Sequence, residues 1–354
     1  MFSTIPLETN SPADGGIRPG RLSWEFGKKS SLISARGRAT ASRLAAHDVV
    51  SRALWRRHDI DIGGPVKRTI VVLTAVLAAL GIAPTANASY STSLVVLGDS
   101  YASGTGAGSY QDGTAGNCWR SNNSYGEQVA ARLRAAGRLG SFANVSCSGA
   151  ATADFSRPFK DRPAQLDALK RDTNLVLLTV GTNDIDYATY GGICIQADCT
   201  GAPTEAILAR LPQMELNVTA LLAEIGKRSP HARVVVVGYG RQVSTSDNPD
   251  GVTLDPICGE GILTTAERAQ GNQVADGIDA TLRSAVTKAA HQGVKATFAS
   301  PFSRPGTFDG HALCESGTPF LRGFDALAPG QEGPEAVFHP NQQGQTALAS
   351  LVRA

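Results

Sequence analysis

The stretch VVLGDSYASGTGAG, Val95–Gly108, runs from a continuous apolar segment through Gly-Asp-Ser-Tyr into a series of glycines. Two chemistries use such a junction. A glycine loop after a buried strand can cradle a phosphate, and a serine at the same place can be a nucleophile held clear of the sheet. The phosphate reading fails on detail. No Gly-Lys-Ser/Thr follows, and Gly104-x-Gly106 meets Ser109 where a dinucleotide fingerprint needs its third glycine. An α/β-hydrolase elbow fails as well, because Gly98-x-Ser100-x-Ala102 lacks the second glycine.

Outward from this stretch, five runs rich in Val, Leu and Phe have strand character: Ser93–Gly98, Ser141–Cys147, Asn174–Gly181, Arg233–Gly240 and Lys295–Ser300. Three are apolar almost throughout, as in strands covered on both faces of a parallel sheet. Segments with helical spacing lie between them, at Tyr125–Gly137, Thr204–Pro230 and Ala266–Gly293, and a last one follows at Asn341–Ala354. This alternation predicts a three-layer α/β/α sandwich around a five-stranded, mainly parallel sheet. Right-handed crossovers then collect the strand C-termini along one edge, where ligands of open α/β sheets bind.

The chain has 354 residues, 42% of them hydrophobic, enough for at least one full core. Its net charge of +2 conceals an asymmetry. Met1–Ala88 holds 12 Lys/Arg and 6 Asp/Glu, leaving 21 and 25 for Ser89–Ala354. A mildly acidic body lacks the basic footprint of a nucleic-acid binder. Lys67-Arg68, the apolar run TIVVLTAVLAALGIAP and Ala86-Asn87-Ala88 together read as a secretory signal over residues 66–88, cleaved before Ser89. The apolar run is shorter than the roughly 20 residues of a membrane span, so no stable span is expected in the mature protein. Residues 1–65 are Arg-rich and non-periodic, and read as a disordered extension or as an upstream start assigned ahead of a true one at Val66.

All six cysteines follow the signal, and an even count in an exported chain suggests three disulfides. Of fifteen pairings, sequence order favours Cys118–Cys147, Cys194–Cys199 and Cys258–Cys314, each closing a local loop. With neither C-x-x-C nor H-E-x-x-H, no metal is expected, and no other cofactor.

On the same sheet edge as Ser100, the third strand ends in Gly181-Thr182-Asn183-Asp184, and the second runs into Cys147-Ser148-Gly149-Ala150. AVFHPNQQG sets His339 in a loop before the last helix. Acyl transfer needs a nucleophile, a base and donors for an oxyanion, and this set contains all three. Singly, each residue reads as a turn or surface residue; the order of the set carries the reading.

Gly98-Asp99-Ser100-Tyr101, Gly149, Gly181-Thr182-Asn183-Asp184 and His339 resemble, in order, the four blocks of the SGNH (GDSL-like) esterases and lipases. CWRSNNSYGEQ and the three-disulfide layout are similar to the secreted actinobacterial branch. The resemblance implies a flavodoxin-like fold over 89–354 and a secreted, monomeric serine esterase or lipase acting on small-molecule or lipid esters. It implies Ser100 as nucleophile, His339 as base, and the Ser100 and Gly149 N–H groups with the Asn183 amide as the oxyanion hole. A polysaccharide O-deacetylase using the same residues, and a wall-binding module with an inactive site, are the alternatives. The family commonly has Asp three residues before the histidine, where this chain has Ala336. The Ala336 main-chain carbonyl is therefore the expected acceptor for His339 Nδ1, with the Glu335 carboxylate the alternative. Asp99 and Asp184 are expected to hold turns, and His311 is the reserve base.

Overall fold

The computed structural model describes residues 91–245, 254–303 and 306–353. The leader at 66–88, the segment 1–65 and the cut before Ser89 lie outside the described residues. Five strands, β1 (Thr92–Gly98), β2 (Leu139–Asn144), β3 (Leu175–Thr179), β4 (Arg233–Val237) and β5 (Ala296–Ala299), form one parallel sheet in the order β2-β1-β3-β4-β5. That order is the doubly wound one in which the path reverses between β1 and β3, opening a crevice at their C-terminal ends. The central strands explain their unbroken hydrophobicity. Every residue of β3 and all but the first residues of β1 and β4 are buried, whereas the edge strands β2 and β5 stay partly exposed.

Among the described residues, seven α-helices connect or follow the strands: α1 (Ser100–Ser103), α2 (Tyr125–Ala135), α3 (Tyr187–Gln196), α4 (Ala202–Leu208), α5 (Leu211–Arg228), α6 (Thr265–His291) and α7 (Gln342–Leu351). Right-handed crossovers put α2 on one face of the sheet and α5 and α6 on the other, the three layers expected. α7 packs beside α2 and α6 against α5. The segment expected as one helix over Thr204–Pro230 is two, α4 and α5. Pro212 has no N–H to offer the Leu208 carbonyl, so the ladder breaks there and Pro212 sits in the first turn of α5. α6 begins with a capping box, Thr264 and Glu267 each bonding the other's backbone.

The described cysteines pair as Cys118–Cys147, Cys194–Cys199 and Cys258–Cys314, as sequence order favours.

Candidate active site

Ser100 opens α1 directly after β1. Gly98 makes the sharp exit, with φ of +143° and no room for a Cβ, which would fall 2.5 Å from both Ala102 Cβ and the Thr179 carbonyl. Asp99 then caps α1, its carboxylate accepting the Tyr101 N–H at 3.0 Å. As the first residue of the helix, Ser100 has an N–H with no intrahelical acceptor. Asp99 is fully buried and also takes the Tyr239 hydroxyl, which in turn accepts the Thr182 N–H at 3.3 Å. Burial raises its pKa to about 7 against those bonds. It holds the turn, as expected.

His339 Nε2 lies 2.7 Å from Ser100 Oγ. The His339 loop is pinned on both sides: Phe338 N–H donates to the Arg322 carbonyl and Arg322 N–H to the His339 carbonyl, each at 2.8 Å. The glycine loop of Val95–Gly108 makes room for it. Gly106, at φ +88°, faces the His339 Cβ, and a Cβ on Gly106 would sit 3.1 Å from it. The glycines therefore serve close approach of two backbones, not a phosphate.

The orienting acceptor differs from both expectations. Ala336, Val337, Phe338 and His339 form a turn closed by His339 N–H to the Ala336 carbonyl at 3.0 Å. Val337 has φ −59° and ψ 136°, and Phe338 has φ +63°, the angles of a type II turn with a bulky residue at the left-handed position. Ala336's carbonyl is thus consumed in closing the turn, and the central peptide is flipped so that the Val337 carbonyl meets His339 Nδ1 at 3.1 Å. Glu335 makes no such contact and is exposed; its charge acts instead on Lys160. Desolvation lowers the imidazole pKa to about 4, with the Val337 carbonyl opposing. His311 is elsewhere engaged, with Nδ1 2.9 Å from the Thr318 carbonyl and its ring stacked on Phe320.

Asn183 is tied to the Gly149 loop through the carbonyl of Ala150. Asn183 Nδ2 donates to the Ala150 carbonyl at 3.0 Å, leaving its second N–H available. In Cys147–Ala150, Cys147 N–H goes to the Gly98 carbonyl, Ser148 N–H to Cys118 and Ala150 N–H to Cys147. Of these four donors Gly149 N–H alone has no acceptor among the described residues. Asp184 ties the two loops together by accepting Thr152 N–H at 3.1 Å, the Thr152 hydroxyl and Asn217 Nδ2 at 3.0 Å.

Three supporting residues escaped the sequence reading. Gln165 brackets Gly98, accepting its N–H at 2.8 Å and donating to its carbonyl at 2.9 Å. Gln345 on α7 accepts Tyr125 N–H at 2.8 Å and donates to the Tyr101 carbonyl at 3.1 Å. Lys160 donates to the Ser148 and Asn117 carbonyls. A fully buried position for Gln345 on an otherwise apolar helix face is a signal that helical spacing could have raised. Gln165 opens a single 3-10 turn, Gln165–Ala168, and Lys160 sits in a tight turn, both too short to show a periodicity.

The profile of the GDSL-like lipase/acylhydrolase family matches residues 96–347. A lipase of Streptomyces rimosus is 33% identical over 289 residues, covering 78% of this chain and 91% of that one. Lipase 1 of Streptomyces coelicolor is 29% identical over 291 residues, 80% and 93% of the two. Among solved structures, the extracellular lipase of S. rimosus aligns with a TM-score of 0.53 at 31% identity, over 74% of this chain and all of that one. A phospholipase A1 from Streptomyces albidoflavus NA297 aligns at 0.54 and 28%, over 73% and 95%.

Proposed function

The chain belongs to the GDSL-like lipase/acylhydrolase family and is an ester hydrolase, and from this we propose a secreted lipid esterase that works through an acyl-enzyme on a Ser100–His339 dyad. Ser100 Oγ attacks the ester carbonyl carbon while His339 Nε2 takes its proton. The carbonyl oxygen becomes an oxyanion held by the Ser100 and Gly149 N–H groups and the free Asn183 N–H. Collapse breaks the bond to the alcohol, which leaves with the proton from His339. Water, deprotonated by the same nitrogen, then releases the acid and restores Ser100.

The observation that carries this reading is the chain of contacts from Ser100 Oγ through His339 to the Val337 carbonyl. A neutral acceptor sets the tautomer that leaves Nε2 free to receive the proton. Lipid rather than carbohydrate esters are favoured by the named lipases at about 30% identity over most of the chain. Export through residues 66–88, giving a mature chain from Ser89, accords with the extracellular S. rimosus relative.

The test is a hydrolysis panel from acetyl to palmitoyl esters, with a triacylglycerol, a phospholipid and acetylated xylan, run with wild type and Ser100→Ala. Wild type should cleave lipid esters, and Ser100→Ala should be inert toward them and toward a fluorophosphonate label. Near-normal turnover by Ser100→Ala would end the nucleophile assignment, and a preference for acetylated xylan would move the substrate class. N-terminal sequencing of secreted protein should begin at Ser89; a start at Met1 would reject the leader.

A further inference from the structure

We infer that Lys160 is a positioning residue of the oxyanion hole, acting through the peptide group that joins Ser148 to Gly149. Its Nζ donates to the Ser148 carbonyl at 2.8 Å. That carbonyl and the Gly149 N–H belong to the same planar peptide. A cation bonded to the oxygen of a peptide draws electron density toward it, and makes the N–H at the other end a stronger donor. The same bond opposes rotation of the plane. Such a restraint matters beside Gly149, whose φ of +84° lies where glycine moves freely.

The surroundings deliver the ammonium to this place. Phe159 and Arg162 exchange both backbone hydrogen bonds at 3.0 Å, closing a two-residue turn with Lys160 at φ +48° and Asp161 at +58°. Turns of this kind ordinarily hold Asn or Gly, and two non-glycine residues there are strained. Strain of this sort persists where surrounding structure enforces it and clusters at functional sites. The second carbonyl gripping Nζ, Asn117 at 3.2 Å, precedes Cys118, whose disulfide to Cys147 leads into the Gly149 loop. The ammonium thus spans the two segments that the bridge joins. A Cβ built on Gly149 would fall 3.5 Å from Nζ.

The inference rests on the oxyanion role proposed for Gly149. Its test therefore includes Asn183→Ala, which probes that role without touching Lys160. With a soluble butyrate ester and the disulfide-bonded protein, Lys160→Met should lower kcat about tenfold with KM within about twofold, less than the 10²–10³ lost with a whole donor. A trifluoromethyl ketone, whose Ser100 adduct carries an oxyanion, should bind Lys160→Met about tenfold more weakly. Lys160→Arg should recover most of kcat, and Lys160→Gln, which keeps one bond without the charge, should fall between. This graded order stands even if the methionine variant is less stable. A flat series beside an Asn183→Ala that loses kcat overturns the inference alone. An unchanged kcat in Asn183→Ala as well overturns the oxyanion reading beneath it. A rise confined to KM, strongest on an anionic phospholipid, would show instead that Lys160 contacts the substrate headgroup.

Discussion

In the proposed mechanism His339 acts as a neutral base, and desolvation lowers its pKa to about 4. Protonation blocks the base, so the limb of kcat/KM that reports His339 should lie near pH 4. A limb near 6.5, the value of a solvated imidazole, would show the ring more hydrated than its packing implies. Glu335→Gln should change kcat by less than about tenfold, since the acceptor of Nδ1 is the Val337 carbonyl. A thousandfold loss would mean a carboxylate swings in during turnover. Asn183→Ala should lower kcat about 10²- to 10³-fold with little change in KM. The sequence brought Ser100, Gly149, Asn183 and His339 forward as candidates because the first three follow strand ends and the last lies in the loop before the last helix. The identity of the orienting carbonyl was not legible there. Which of two consecutive carbonyls faces an imidazole depends on a left-handed residue, and Phe338 at φ +63° is not one that sequence would nominate for that conformation.

Among the elements, β1 and its exit fix the position of Ser100. Gly98→Ala would force a methyl into both Ala102 and the Thr179 carbonyl, from a backbone that L-residues resist. It should cost about 2–4 kcal/mol by overpacking and strain, read as a lower urea midpoint at unchanged m-value. An effect below about 1 kcal/mol would mean that β1 shifts to absorb the group. The strands were plain in the sequence for the reason that gives this site its rigidity: β3 has no residue facing water, so nothing interrupts its apolar run. α3 stayed hidden because its sequence, YATYGGICIQ, joins two glycines with β-branched residues and no charge, a poor prior for a helix. Buried Tyr190 and the Cys194–Cys199 bridge at its C-terminal end hold it in place of propensity.

For the molecule as a whole, the disulfides close loops of 29, 5 and 56 residues. On chain entropy these are worth about 3.6, 2 and 4 kcal/mol. Replacing Cys258 and Cys314 with serine should therefore lower Tm most, and replacing Cys194 and Cys199 least; the reverse order would point to native packing rather than loop closure as the dominant effect. The separation of Ser100 from His339, 239 positions along the chain, has a further meaning in time. Ser100, Gly149 and Asn183 all follow the first three strands, whereas His339 precedes α7, which docks through Gln345. On the proposed Ser100–His339 dyad, a refolding chain passes through a period when its nucleophile is shaped but mute. Recovery of esterase activity should lag the fluorescence of Trp119, which lies beside the Cys118–Cys147 bridge, and the length of that lag is a clock for the last docking event.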